Sequence, residues 1–188
     1  MARPRSEDKR NAIMEAAIRV IAAQGLGAPT MKIAEEAGVA NGSLFTYFET
    51  KTELFNQLYL ELKNGMASAA LEGLPAGADL RKQTFHVWSN WMDWAVSNPE
   101  QRRTLALLGV SDEITTASRA AANKTTAGLG ELMHRLRANG PMRAAPMAFV
   151  AGIMNSLAET TMDFMIQDPD NAKKHCKAGF DALWRAIA

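Results

Sequence analysis

The sequence predicts an all-α protein of about nine helices, and three observations carry that expectation. Apolar residues recur at three-to-four spacing almost from end to end, alternating β-branched runs are absent, and most of the seven prolines fall near candidate helix boundaries. At 188 residues the chain can bury a sizeable core without disulfides or a structural metal. Hydrophobic residues make up 47% and charged residues 22%, a balance that favours folding over disorder. The single cysteine, Cys176, leaves no internal disulfide framework and suits a reducing compartment. No apolar run has the flanks of a secretory signal, and none reaches about 18 residues without a charge. The expectation is a soluble cytoplasmic protein with no membrane partner.

The first helix opens at Ser6 as N-cap, with Glu7 and Asp8 in the turn where the helix dipole favours negative charge. Its apolar face is Ile13, Ala16, Ala17, Val20 and Ile21, and Gly25 with Gly27 ends it. Thr30 caps a short stretch over 30–37, Gly38-Val39-Ala40 breaks it, and a second short stretch covers 41–48. Thr50-Lys51-Thr52-Glu53 reads as a capping box for a longer helix to about Met66, with Leu54, Phe55, Leu58 and Leu62 inward. The Gly- and Pro-rich stretch 72–78 reads as a connection, which divides the chain into domains 1–66 and 67–188.

The remainder reads as five more helices. Asp79 caps one running to about Ser97, and Asn98-Pro99 starts the next, with proline where its missing N–H costs nothing. A long helix covers 111–139, a very apolar one 143–166, and a final one 171–187 follows the break at Asp168-Pro169-Asp170.

The chemistry concentrates in 30–51, written TMKIAEEAGVANGSLFTYFETK. Two short helices joined by a tight glycine turn are what a helix-turn-helix requires. Gly38 can adopt positive φ at the reversal, and Ile33, Ala34, Ala37, Val39, Leu44 and Phe48 supply apolar contacts between the helices. The outward positions of the second helix, Asn41, Gly42, Ser43, Thr46 and Tyr47, carry no charge where a solvated helix would normally hold Lys or Glu. Small hydrogen-bonding residues permit close approach to bases and phosphates. An irregular corner inside an ordinary bundle would show the same pattern, and the residues alone leave both open. Bulk charge does not decide: the net charge is +1, and residues 1–66 hold eight Lys/Arg against eight Asp/Glu. Arg3, Arg5, Lys9 and Arg10 crowd the first ten positions.

The spacing Ile33-Ala34, Ala37-Gly38-Val39, Gly42, Leu44, Tyr47-Phe48, Lys51, Leu54 resembles the N-terminal signature of the tetracycline-repressor (TetR) family over about the first 60 residues. Length and helix count fit as well. The resemblance implies an N-terminal three-helix helix-turn-helix DNA-binding domain and a C-terminal helical ligand-binding and dimerisation bundle. By position, Thr30 and Lys51 would hold phosphate and Tyr47 would touch phosphate or a base, while Ala40, Asn41, Gly42, Ser43 and Thr46 would face the major groove. Arg3 and Arg5 would add contacts from the arm. Phe45 departs from the tyrosine that the family often has, so a phosphate hydrogen bond is missing there. The implied partners are a double-stranded DNA operator, a second copy through the last two helices, and a small-molecule effector. The implied mechanism is repression relieved by that effector; activation is left open.

For the effector, Trp88, Trp91 and Met92 on one helix suit a hydrophobic or aromatic molecule, though plain core explains any one of them more readily. Glu159, with Asn155 and Asp163, would give such a pocket a polar wall or form a solvated helix edge. Trp88, Trp91 and Glu159 are the candidate ligand contacts. His86, His134 and His175 are dispersed, and His175-Cys176 is not a metal-ligand spacing, so neither a metal nor a cofactor is expected. Two other readings compete: a helical dimeric adaptor without DNA binding, and a small all-α enzyme using Glu159/Asp163 or Cys176. There is no nucleophile elbow or phosphate loop to support the enzyme.

Overall fold

The computed structural model describes residues 7–188. Among these the regular structure is entirely helical: α1 (Glu7–Gln24), α2 (Thr30–Glu36), α3 (Asn41–Tyr47), α4 (Lys51–Leu71), α5 (Leu80–Ser97), α6 (Pro99–Gly109), α7 (Thr116–Thr125), α8 (Ala127–Arg137), α9 (Met147–Gln167) and α10 (Ala172–Ile187). A 3-10 turn, Pro169–Asn171, joins the last two. The all-α class is as expected, and no described helix is long and apolar enough to cross a membrane. The expected cap at Ser6 lies outside the described residues.

Several boundaries differ from the sequence reading, each for a local reason. The stretch expected as one helix over 111–139 is two helices. Its break falls at Thr126 (φ −95°, ψ 16°), beside a second threonine and just before Gly128, all weak helix formers. The apolar helix starts at Met147 because Pro146 stands extended at its N-cap (φ −56°, ψ 138°) and proline biases its predecessor out of the α region. Asp79 caps α5 as expected: its carboxylate accepts the Lys82 N–H at 2.9 Å, which holds that carboxyl below the usual carboxylate range.

The helices gather into two compact units, the described part of Met1–Asn64 with Asn98–Ala122, and Gly65–Ser97 with Asn123–Ala188. In the first, α1 packs on α2 and α6 over a core that includes Ile13, Ile21, Leu54 and Leu58. The buried Thr104 hydroxyl donates to the Ile18 carbonyl at 3.1 Å, so α6 is keyed to α1 by a hydrogen bond as well as by packing. α4 is fastened to the segment after α6 through Asn56. Its amide donates to Thr52 O (2.7 Å) and Glu113 O (2.8 Å), and its carbonyl accepts from the Thr115 N–H (2.9 Å) and hydroxyl (3.2 Å). Thr52 adds a hydrogen bond to the Glu113 carboxylate. A buried amide satisfied on both its ends fixes register without a desolvation penalty.

In the second unit, α9 and α10 lie along each other and α5 closes over both. Met92, Val150, Met162, Phe180, Leu183 and Ile187 are among the residues that fill the shared core. Trp88 is buried there with its indole N–H donated to the Cys176 carbonyl at 3.0 Å, so α5 is tied to α10 by direction as well as by area. Burial pushes the pKa of the Cys176 thiol above its ordinary value.

Candidate nucleic-acid interface

α2 ends in a Schellman arrangement. Val39 N–H bonds to Ala34 O at 3.0 Å, Gly38 N–H bonds to Glu35 O at 3.1 Å, and Gly38 between them has φ +66°. A residue with a Cβ would be strained at that φ, so the glycine enables the reversal. The chain then enters α3, where Ser43 N–H bonds to Ala40 O at 2.8 Å. Ile33, Ala34, Leu44 and Phe48 are essentially inaccessible and set the rotation of α3 about its own axis.

That rotation decides what α3 offers outward. Asn41, Gly42 and Thr46 are exposed, as is Ala40 before them, and Ser43 and Tyr47 are half-buried. Thr46 leans its hydroxyl back toward the Gly42 carbonyl at 3.5 Å. Of the outward set expected from the sequence, Asn41, Gly42 and Thr46 are exposed and Ser43 and Tyr47 only partly so, while Phe45, not in that set, is 41% exposed. Gly42 has ordinary helical φ, and a Cβ built on it would meet nothing within 4 Å. The fold has no need of glycine there, although glycine costs a helix about 1 kcal/mol relative to alanine. The nearby charges on α2 are paired, Lys32 with Glu35 (2.9 Å) and Arg19 with Glu36 (2.7 Å). Such exposed pairs contribute little to stability.

Thr30 is half-buried and is the first residue of α2, whose N-cap is Pro29, with no side-chain cap bond. This corrects the expectation that Thr30 caps the helix: proline's fixed φ brings the chain in, and the hydroxyl is not used on the backbone. Thr50 does cap α4, accepting the Glu53 N–H at 3.0 Å, while the Glu53 carboxylate reaches back to the Glu49 N–H at 2.6 Å. Lys51 stands beside them. Its ammonium donates to Leu26 O (2.8 Å) and Ala28 O (2.7 Å) and lies 5.3 Å from the centre of the Phe55 ring. The side chain thus joins the start of α4 to the turn between α1 and α2, a tie no spacing rule reveals. Arg10 bonds to Gln57 (2.8 Å) and Glu61 (2.6 Å) on α4, whereas Arg3 and Arg5 lie outside the described residues.

The candidate ligand residues are distributed differently. Trp88 is a core residue, Trp91 is half-buried with its ring edge-on to Trp88 at 6.1 Å, and Glu159 is half-buried on α9. An open groove on α5 and α10 is lined by Arg81, Lys82, Phe85 and Phe180 with the carboxylates of Asp79 and Asp181, and none of the three candidates borders it. Among the described residues no three His, Cys, Asp or Glu side chains come together as a metal site requires.

A short glycine-turned helix pair with an uncharged exposed second helix defines a helix-turn-helix of the DNA-reading kind. Residues 13–58 match the family described as bacterial regulatory proteins, tetR family. A transcription regulator assigned to the tetR family, from Shewanella sp. PV-4, has the same fold over 98% of this chain and 99% of its own, at 27% identity and a TM-score of 0.85. A TetR family transcription regulator from Marinobacter aquaeolei VT8 matches over 97% of this chain and 96% of its own, at 23% identity and a TM-score of 0.84. The TetR-like regulator LfrR from Mycobacterium smegmatis, solved in complex with proflavine, matches over 97% and 98% at 18% identity and a TM-score of 0.69. The two lower identities bear on fold alone. Residues 13–58 thus match the tetR family's model, and the whole chain shares its fold with TetR family transcription regulators.

Proposed function

We propose that this chain is a homodimeric repressor that holds a near-palindromic operator in the cytoplasm and releases it when a small molecule binds in the 67–188 domain. It acts by binding and not by catalysis. The observation that carries the DNA half is α3: its outward positions carry no charge, and Gly42 leaves open space that the fold does not use. In this reading Ala40, Asn41, Gly42, Ser43 and Thr46 face base edges, while Thr30, Tyr47, Lys51, Arg3 and Arg5 hold phosphates and fix register. Lys51 spends two of its three N–H donors on carbonyls, which leaves one for a phosphate.

Dimerisation through the last two helices is supported by apolar residues left on the surface of α9, where Phe149, Phe164 and Ile166 are exposed. A two-fold pair would set two α3 helices about 34 Å apart, one turn of DNA. An effector of hydrophobic or aromatic character is supported by the half-buried Trp91 and by the fold shared with LfrR, a protein that binds proflavine. Trp88, Trp91 and Glu159 remain the proposed contacts. Effector binding would favour a spacing of the two α3 helices that mismatches the operator, for which a coupling of about 1–3 kcal/mol suffices.

The test is operator selection from random duplex DNA with the purified protein, followed by affinity at several salt concentrations and the mass of the complex. The reading expects a near-palindrome, two chains per site, and affinity that falls steeply as salt rises. Selection of nothing above background overturns it and leaves the adaptor reading. Repression is checked by placing the selected operator ahead of a reporter and measuring expression with and without the protein.

A further inference from the structure

At about 100° per residue, the inward pair Leu44 and Phe48 places Gly42 and Thr46 outermost on α3. Asn41 and Phe45 then lie on one flank, and Ser43 and Tyr47 on the other. The flanks differ chemically. Tyr47 carries a hydroxyl that can bond to a phosphate, whereas Phe45 carries only a ring, 41% exposed on a seven-residue helix whose other outward groups are small or polar. A phenyl ring can neither donate to nor accept from a base edge. The apolar group that the major groove offers it is the C5-methyl of thymine. One turn back on the same flank, Asn41 has the amide that pairs bidentately with adenine. The flank thus holds the two chemistries that read A·T pairs.

We propose that Phe45 is a specificity-determining residue that packs on the methyl group of one thymine in each operator half-site. The proposal rests on the reading of α3 as the DNA-facing helix and goes beyond it by naming the base and the group read. Gly42 and Thr46 let the helix sit deep enough for a flank ring to reach the methyl at the groove edge.

The experiment replaces thymines in the selected operator with deoxyuridine, which removes the methyl and nothing else. Symmetry-related pairs are replaced one pair at a time. Affinity is measured for the native protein and for Phe45→Ala, Phe45→Leu and Phe45→Tyr. At one position per half-site, deoxyuridine weakens native binding about fourfold per half-site, the worth of one buried methyl. Phe45→Ala is indifferent to deoxyuridine at that position and keeps the native profile elsewhere. Phe45→Leu, which retains an apolar contact, keeps part of the dependence. Because the ring is exposed, the variants fold, as thermal melts would verify. If Phe45→Ala weakens binding while the deoxyuridine profile stays native, the ring packs on the sugar-phosphate wall and the assignment is overturned. If the native protein selects no operator, the reading under Proposed function falls and this assignment falls with it.

Discussion

Two helical glycines, Gly42 on α3 and Gly179 on α10, look alike in the sequence and do opposite things. At Gly42 an added Cβ meets open space; at Gly179 it would collide with the side chain of Thr161 on α9. The α9–α10 pair has used its space completely, and the glycine is the condition of that approach. At Gly42 α3 has space that no part of the unit fills. Packing complementarity stabilises the first region, and the second keeps a helix-propensity cost of about 1 kcal/mol that no packing contact within the chain offsets. Substitutions at both glycines and at their supports test that contrast.

The largest expected effect is at Gly179. Gly179→Ala loses about 1–3 kcal/mol of stability by overpacking, read from urea or thermal unfolding. Shortening Thr161 to Ala in the same chain recovers part of the loss, whereas additive losses would show that the close approach is not the cause. Next is Lys51→Ala, which strips the Leu26 and Ala28 carbonyls of their ammonium and costs about 1–2 kcal/mol of stability. Operator affinity falls at the same time across all sequences. If Lys51 also holds a phosphate, the slope of log affinity against log salt shrinks by about 1. An unchanged slope with a lowered Tm would make Lys51 a support of the helix-turn-helix alone.

Gly42→Ala moves stability the other way, by up to about 1 kcal/mol of gain, while weakening operator binding at least several-fold. A variant that bound as well as the native protein would erase the contrast between the two glycines. The smallest effect is at Lys63, held in the first unit with its ammonium 6.0 Å from the centre of the Tyr59 ring. Burial, and then the nearby Arg119 guanidinium, lower its pKa below the ordinary lysine value. Because the folded state disfavours the charged form, this penalty is in force at neutral pH. It fades as pH rises from the lowered value toward the unfolded one, so stability should gain slightly with alkalinity. Lys63→Met should raise Tm at pH 7 by about 1–2 °C and abolish that alkaline gain, measured by melts across pH.

What was legible in the sequence was what depends on neighbours along the chain. Thr50 and Asp79 were readable as caps because a cap bond spans three residues. The reversal at Gly38 was readable because its φ and both Schellman bonds lie within six residues. The uncharged outward set of α3 was readable because Leu44 and Phe48 four apart fix a helix's rotation. Thr30 was misassigned within this local class, since its hydroxyl and the proline before it both announce a helix start.

The tertiary structure decided everything that needed a second element. Asn56 reads as one polar residue near an apolar stripe, and its four hydrogen bonds exist only once the segment with Glu113 and Thr115 lies against α4. Trp88 read more readily as plain core than as a pocket wall, and only the fold shows its burial and the Cys176 carbonyl that takes its indole N–H. The family resemblance assigned Lys51 to phosphate, and only the fold shows two carbonyls more than twenty residues earlier in the chain holding its ammonium. Sequence by itself determined the helical class, the caps at Thr50 and Asp79, the turn and most of the residues α3 presents, because those follow from backbone geometry over a few residues. Which glycine is crowded and which is open, and which polar groups are already satisfied, follow from close packing between segments far apart in the chain.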